Sequence, residues 1–255
     1  MKVVLLAGGI GSRLSEETVV RPKPMIEIGH RPILWHIMQH YAHFGHRDFI
    51  VCLGYRGDDV KRYFSESLSF ADMTIDFGSG SVEVLDTPRN DWRVTLVDTG
   101  QSTQTGGRLQ RVRRYLGDEP FLLTYGDGVS DVDLDDLVAF HRREGRTATV
   151  TAVRPPARFG KLTVERGKVT SFDEKPQISE EWINGGYFVL EPEVFDHIPG
   201  DVDFAHEPLT GLAAAGELSA YRHEGFWQCM DTIRDKMLLD SLWDSGRPPW
   251  RLWTS

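Results

Sequence analysis

The sequence predicts an α/β fold, a mixed and mainly parallel sheet flanked by helices, on three observations. The chain opens with an apolar strand, Val3-Val4-Leu5-Leu6, that runs into a loop carrying Gly8, Gly9 and Gly11. Phe49-Ile50-Val51-Cys52-Leu53 is a continuous apolar run of the kind found in parallel strands buried on both faces. Helical patterns alternate with such runs, and that alternation calls for parallel strands joined by crossovers.

Each element follows in order. After the glycine loop, Ile33-Leu34-Trp35-His36-Ile37-Met38 starts a helix that reaches about Phe44 and stops at Gly45. A second helix is expected from Asp58 to Phe64. Short strands are expected at 73–77, 82–85 and 94–97. Thr105-Gly106-Gly107-Arg108 opens a helix ending near Leu116-Gly117, and Phe121 to Tyr125 reads as another buried strand, halted by Gly126-Asp127-Gly128. A helix over 132–143 and a strand over 147–153 complete the first half. Past Pro155-Pro156, strands at 162–165, 169–172 and 183–190 alternate with turns. Helices at 206–215 and 232–243 follow, with a strand near 218–221 between them. The Pro-Pro step divides one domain, 1–255, into halves 1–155 and 156–255 that share a sheet.

Composition narrows the function classes. The chain has 255 residues and a formal charge of −9. A net acidic chain without a basic run argues against a nucleic-acid partner. No apolar stretch is long enough for a membrane span. The first apolar run is too short for a signal peptide and ends in Gly-Gly, so a cytoplasmic protein is expected. Only Cys52 and Cys229 are present, and Cys52 sits in an apolar run, so a reduced thiol rather than a disulfide framework is expected.

The chemistry-bearing residues fall into four groups. Glycines at 8, 9 and 11 let backbone N–H groups crowd around anionic oxygens, and Arg13 and Lys23 can hold a triphosphate. Neither the dinucleotide fingerprint nor a Walker loop is present. Asp127, between Gly126 and Gly128, lies where α/β sheets bind ligands, and Mg²⁺ is commonly held by one or two carboxylates plus phosphate oxygens. Asp231 is the candidate second carboxylate, although alone it reads as the N-cap of the last helix. Glu174-Lys175, followed by Asn184-Gly185-Gly186, suits a sugar hydroxyl and its phosphate. Thr105-Gly106-Gly107-Arg108 can read a base edge from a helix start, or simply cap that helix. Asp131-Val132-Asp133 has the Asp-x-Asp form of a glycosyltransferase, but it is expected to cap the next helix. His36, His40, His43 and His46 read as a solvent-facing or subunit-facing set rather than a zinc site. Trp243, Trp250 and Trp253 read as packing anchors.

Leu6-Ala7-Gly8-Gly9-Ile10-Gly11-Ser12-Arg13-Leu14 with Pro22-Lys23-Pro24-Met25 resembles the signature of the nucleotidylyltransferases that make nucleoside-diphosphate sugars. The resemblance covers nearly the whole chain. It is closest to the branch that joins CTP to glucose 1-phosphate, on Leu14-Ser15-Glu16-Glu17-Thr18, Pro32-Ile33-Leu34-Trp35-His36-Ile37-Met38, Thr105-Gly106-Gly107-Arg108-Leu109 and Gly225-Phe226-Trp227-Gln228. It implies a Rossmann-like sheet with a nucleotide half and a sugar-phosphate half, the latter built of additional strands and helices. It implies nucleotide binding by Leu6, Ala7, Gly8, Gly9, Gly11, Ser12, Arg13, Lys23, Thr105, Gly106, Gly107, Arg108, Gly126 and Asp127. Tyr125, Glu174, Lys175, Asn184 and Gly185 are implied on the sugar phosphate, and Asp127 and Asp231 on Mg²⁺. Arg13, Lys23, Asp127 and Lys175 are implied as catalytic. The implied products are CDP-glucose and pyrophosphate, and the implied assembly a homo-oligomer. UTP or dTTP enzymes share the scaffold, so a different base or sugar phosphate is the alternative. A non-catalytic sugar-nucleotide-binding regulatory protein is the alternative of another class. Ser12 stands where threonine is common, and Cys229 where proline is expected.

Overall fold

The computed structural model describes residues 1–9, 21–69, 73–84, 91–155, 161–173 and 181–253. Arg13, Gly11, Ser12, Glu174 and Lys175 lie outside the described residues. In chain order the strands are β1 (Lys2–Leu6), β2 (Glu27–Ile28), β3 (Arg31–Pro32), β4 (Asp48–Leu53), β5 (Met73–Asp76), β6 (Ser81–Val84), β7 (Arg93–Asp98) and β8 (Phe121–Tyr125). They continue with β9 (Gly128–Ser130), β10 (Ala148–Val153), β11 (Lys161–Glu165), β12 (Lys168–Asp173), β13 (Ile183–Leu190), β14 (Leu218–His223) and β15 (Trp227–Cys229). The helices are α1 (Ile33–His43), α2 (Gly57–Ser69), α3 (Thr105–Leu116), α4 (Leu134–Glu144), α5 (Glu207–Ala214) and α6 (Ile233–Asp244).

The central sheet has seven strands in the order β14-β10-β13-β8-β1-β4-β7. β1 pairs in parallel with β4 and β8, β4 with β7, and β10 with β14. The expectation of a mainly parallel sheet holds, with one reversal: β13 runs antiparallel to both neighbours, β8 and β10. Strands from both sides of Pro155 therefore lie in one sheet.

Alternation along each strand sends side chains to opposite faces, and both faces are covered. Val3 and Leu5 of β1 join Phe49 and Val51 in a core completed by α1, α4 and α6. Val4 and Leu6 join Ile50 and Cys52 in a second core completed by α3 and α5. Because both faces are buried, the strand sequences are continuously apolar rather than alternating. Burying one such aliphatic side chain contributes roughly 1.5–3 kcal/mol.

Three expectations are corrected here. Gly128–Ser130, expected to lead into a helix, is first a strand that pairs antiparallel with Trp227–Cys229, about a hundred residues on. α4 begins at Leu134, and Asp133 is its N-cap, accepting from the Asp136 N–H at 2.9 Å. This is the capping role expected for the Asp-x-Asp segment. His36 and His40, expected to face solvent or a subunit, are 0% and 2% exposed. His36 packs edge-on against Trp35, Trp243 and Trp250, and its Nε2 bonds the Ile28 carbonyl at 2.9 Å. Trp250 is fully buried and stacks on Phe226 and Trp243, so these tryptophans do anchor the C-terminal segment. Among the described residues, no helix is long and apolar enough to cross a membrane.

Candidate active site

The site forms where β1 and β8 end side by side. Leu6 stands in register with Tyr125. Just beyond them the Gly126 N–H donates to the Leu6 carbonyl at 3.0 Å, so the two strand ends stay together as the chain turns. A Cβ on Gly126 would lie 3.0 Å from that carbonyl oxygen and 3.4 Å from Pro24, so a side chain here would push against both segments and require them to give by a few tenths of an ångström. Lys23, Pro24 and Met25 form a short 3-10 turn with Pro24 and Met25 buried, which fixes the direction of the lysine stem.

Lys23, Asp127 and Asp231 meet there. Lys23 Nζ donates to Asp127 Oδ2 at 2.6 Å and to Asp231 Oδ1 at 2.5 Å, although these partners are 104 and 208 residues away along the chain. The lysine side chain is 12% exposed, so these are partly desolvated, charge-assisted bonds rather than surface pairs. Burial disfavours the ammonium, but the two carboxylates outweigh it and hold the Lys23 pKa above its usual value.

The second carboxylate is placed by the β9–β15 pair. The Met230 N–H donates to the Asp127 carbonyl at 2.8 Å, directly beyond the paired residues Gly128 and Cys229. Asp231 is not the N-cap of α6: Thr232 is, in a reciprocal capping box with Asp235. Asp235 Oδ2 accepts from the backbone N–H groups of Asp231 at 3.1 Å and Thr232 at 2.9 Å. With Thr232 as the cap, the Asp231 side chain faces the lysine. Asp235 is a site residue that the sequence analysis missed, and Thr232-x-x-Asp235 before an apolar run was its signal. Cys229 lies beside this cluster, its Sγ 3.9 Å from Asp231 Oδ2, and burial with the neighbouring carboxylates pushes its pKa up to about 12.

A small pocket of about 40 Å³ opens against Asp127 and is walled by Tyr125, Asn184, Gly185 and Trp227. The Trp227 indole N–H donates to the Gly185 carbonyl at 2.7 Å, and the Tyr187 hydroxyl donates to the Gly128 carbonyl at 3.1 Å. These two bonds tie β13 to the β9–β15 pair. Gly186 has φ +79° and turns its missing side chain toward the Tyr125 ring, where a Cβ would come within 2.7 Å. Tyr125, Asn184 and Gly185 thus share one pocket with Asp127.

The remaining expected nucleotide residues divide. Gly9 is exposed, with open space where a Cβ would stand. Gly8 is buried, and its carbonyl accepts from the Tyr55 N–H at 3.1 Å and from Arg108 at 2.9 Å. Leu6 and Ala7 point into the core, leaving only their backbone to the loop.

Arg108, expected on base or phosphate, is 3% exposed. Its guanidinium donates to the carbonyls of Gly8, Leu53, Gly100 and Gln101 and to the Thr99 hydroxyl, at 2.8–3.3 Å. In this structure it builds the wall behind the glycine loop, holding the ends of β1, β4 and β7 together. Thr105, Gly106 and Gly107 are likewise engaged within the protein. Thr105 Oγ1 donates to Asp203 at 2.8 Å and accepts from the Phe204 N–H at 2.7 Å. The Gly106 N–H donates to the Val202 carbonyl at 2.8 Å, and a Cβ on Gly107 would meet Asp201 at 2.1 Å. The glycines at this helix start serve close packing against the 201–204 turn.

The donor set fits a hard divalent cation completed by phosphate. Asp127 and Asp231 converge on a single positive group, and all the acceptors are oxygens. Among the described residues no third histidine, cysteine or carboxylate joins them to make an all-protein cage. Mg²⁺ is commonly bound this way, through one or two carboxylates with substrate oxygens and water filling the rest of its octahedron.

The family described as nucleotidyl transferase matches residues 2–228 of this chain. The glucose-1-phosphate cytidylyltransferase of Salmonella typhi is 52% identical over 256 residues, covering 99% of this chain and 100% of the relative. The probable glucose-1-phosphate cytidylyltransferase of Bacillus subtilis (strain 168) is 44% identical, with the same coverage. Among solved structures, HddC from Yersinia pseudotuberculosis superposes with a TM-score of 0.69 at 22% identity, covering 95% of this chain and 99% of that one. That last likeness is one of fold.

Proposed function

The chain belongs to the nucleotidyl transferase family, and from that premise we propose that it transfers CMP from CTP to glucose 1-phosphate, giving CDP-glucose and pyrophosphate. The observation that carries the reading is the convergence of Lys23, Asp127 and Asp231 at the ends of β1 and β8, with the sugar-side pocket opening against Asp127.

A phosphate monoester has a second pKa near about 6, so the attacking oxygen of a sugar 1-phosphate is largely ionised at neutral pH. No general base is needed, and catalysis reduces to positioning and charge stabilisation. Backbone N–H groups around Gly8 and Gly9 line the triphosphate, with the loop held from behind by Arg108. Lys23 is a cation in an otherwise carboxylate-lined corner, placed to neutralise charge on the α-phosphate and the departing pyrophosphate. Asp127 and Asp231 would hold Mg²⁺, whose chemistry when bound is to screen the phosphate oxygens. Asn184 and Tyr125 orient the sugar phosphate for in-line attack. Arg13 and Lys175, outside the described residues, belong to the same proposal as cations on the two phosphate groups.

The assembly is proposed to be a homo-oligomer. Leu162, Val164, Val169 and Phe172 lie exposed on the β11–β12 ribbon, and a second copy would cover apolar surface of this kind.

The test is pyrophosphate release with Mg²⁺ across CTP, UTP, dTTP, ATP and GTP, each against glucose, galactose and mannose 1-phosphates. The largest kcat/KM is expected for CTP with glucose 1-phosphate. A larger value for another pair keeps the reaction and replaces the substrates.

A further inference from the structure

Beyond the pocket that holds Asn184 lies a cluster that the mechanism does not use. Arg154 follows the last residue of β10, Trp182 precedes the first residue of β13, and Arg222 is the penultimate residue of β14. The register brings them to one end of the sheet: Val153 pairs with both Ile183 and His223, and Ala152 with both Asn184 and Arg222. β10 runs parallel to β8, since each is antiparallel to β13. The cluster therefore sits at the same edge of the sheet as Asp127. Asn184 is two residues from Trp182 and lines the pocket against Asp127.

The two guanidinium groups share one aromatic ring. Arg154 Cζ lies 4.4 Å from the Trp182 centroid and Arg222 Cζ lies 5.6 Å from it. Both arginines are exposed, Trp182 is half-buried, and among the described residues neither arginine has an ion-pair partner. Stacking on the ring holds each cation in place, but it leaves the two charges repelling one another. A dianion between them would remove that repulsion. The chain as a whole carries −9, so its field opposes the approach of any phosphorylated substrate. A pair of arginines at this end of the sheet, reached from Asn184 through the Asn184–Ala152–Arg222 register, would counter that field locally.

We propose that Arg154 and Arg222, held by Trp182, form an anion-capture site at the rim of the sugar-side pocket, and that it draws the phosphate of the incoming sugar 1-phosphate toward Asn184 and Asp127. This rests on the reading of the pocket given above. Guanidinium is the suited group, because its planar fork matches phosphate oxygens in a way that a lysine ammonium does not. The cluster touches no reacting atom; it acts on substrate capture.

The experiment compares the wild type with Arg154→Gln/Arg222→Gln. The charge-matched control is Arg143→Gln/Arg146→Gln, at the other end of β10. The first double variant is expected to raise KM for glucose 1-phosphate about tenfold and to flatten the dependence of kcat/KM on ionic strength, with KM for CTP within twofold of wild type. The control is expected to leave both KM values within twofold. A KM for glucose 1-phosphate no higher than in the control overturns the proposal, as does an equal rise for CTP, which would mark a general field effect. If the wild type releases no pyrophosphate from CTP and glucose 1-phosphate, the functional reading falls instead. The same proteins are then titrated calorimetrically with inorganic phosphate. Weaker binding by the Arg154/Arg222 variant alone supports capture, and equal binding by all three overturns it.

Discussion

The Met230 backbone N–H donates to the Asp127 carbonyl at 2.8 Å, and this one bond aligns two segments whose carboxylates both reach Lys23. Asp127 leaves the end of β8 and Asp231 follows β15, so the pair exists only because β9 and β15 zip together between them. The charged corner is thus a product of sheet pairing.

Lys23→Ala and Asp127→Asn are each expected to lower kcat by about 10²–10³-fold, the range for losing one preorganised electrostatic group in an active site. Far-UV circular dichroism should be unchanged, because both side chains lie outside the two cores, Lys23 on a short 3-10 turn and Asp127 just past the end of β8. Turnover within fivefold of wild type in either folded variant would remove the residue from the mechanism.

Asp235→Ala is expected to act on kcat through Asp231. It deletes the acceptor of the Asp231 and Thr232 N–H groups together with half of the capping box. Stability should drop by about 1 kcal/mol, as for lost caps elsewhere. A fall in kcat of tenfold or more, with restored turnover in Asp235→Glu, would separate positioning from simple capping. Steady-state kinetics beside urea unfolding reads both.

Arg108→Lys cannot reproduce the fork that spans four carbonyls and the Thr99 hydroxyl. Buried acceptors left without donors are expected to cost about 2–3 kcal/mol, seen by calorimetry as a melting temperature lower by roughly 5–10 °C. Gly8→Ala should behave similarly, since its Cβ would stand 2.2 Å from the Arg108 guanidinium. A melting temperature within 1 °C of wild type for both would refute the wall-building role.

Burial lowers the pKa of His36 and His40 from 6.5 to about 4. The unfolded chain therefore takes up these two protons more readily than the folded one. Stability from keeping them neutral is complete above the unfolded pKa near 6.5 and is lost as pH falls from there toward 4. Each histidine contributes on the order of 3 kcal/mol over that window. Urea unfolding at pH 7, 5.5 and 4.5 should show the loss, and His40→Phe should reduce its slope by about one proton. An identical slope in that variant would show that His40 does not carry the effect.

Both thiols are expected to react slowly in the native protein. Burial pushes Cys52 and Cys229 up to about 12, so at pH 8 the thiolate fraction is on the order of 10³-fold below that of a free cysteine. A disulfide reagent monitored by absorbance should titrate both only after denaturation. Rapid reaction of one thiol in the folded chain would contradict the raised pKa of half-buried Cys229, since Cys52 lies wholly within the core.

Much was legible from local pattern. The apolar runs at β1, β4 and β8 follow from burial on both faces, and the helix over 105–116 was bounded by its glycines. Lys23 and Asp127 could be picked out because each sits in a short motif, Pro22-Lys23-Pro24-Met25 and Gly126-Asp127-Gly128. Other features left no local mark. β9 and β15 are three residues each, too short to show a period, and their partnership joins segments about a hundred residues apart. His36 and His40 are polar residues on a helix, and only the tryptophans and tyrosine packed over them make that face interior. Arg108 lies in a segment where an outward, ligand-facing arginine and an inward, carbonyl-binding one have the same sequence.

The sequence by itself determined the class of fold, the family, and the identity of the charged groups that gather at the candidate site. Hydrophobic period and glycine spacing are local properties, and the chain carries them wherever it folds. Tertiary structure alone decided which of those groups meet: that Asp231 faces Lys23 while Thr232 caps the helix, that Arg108 turns inward, and that Arg154 and Arg222 share one ring. Those outcomes depend on hydrogen bonds and packing between segments tens of residues to 208 residues apart, and no local preference encodes a distance of that kind.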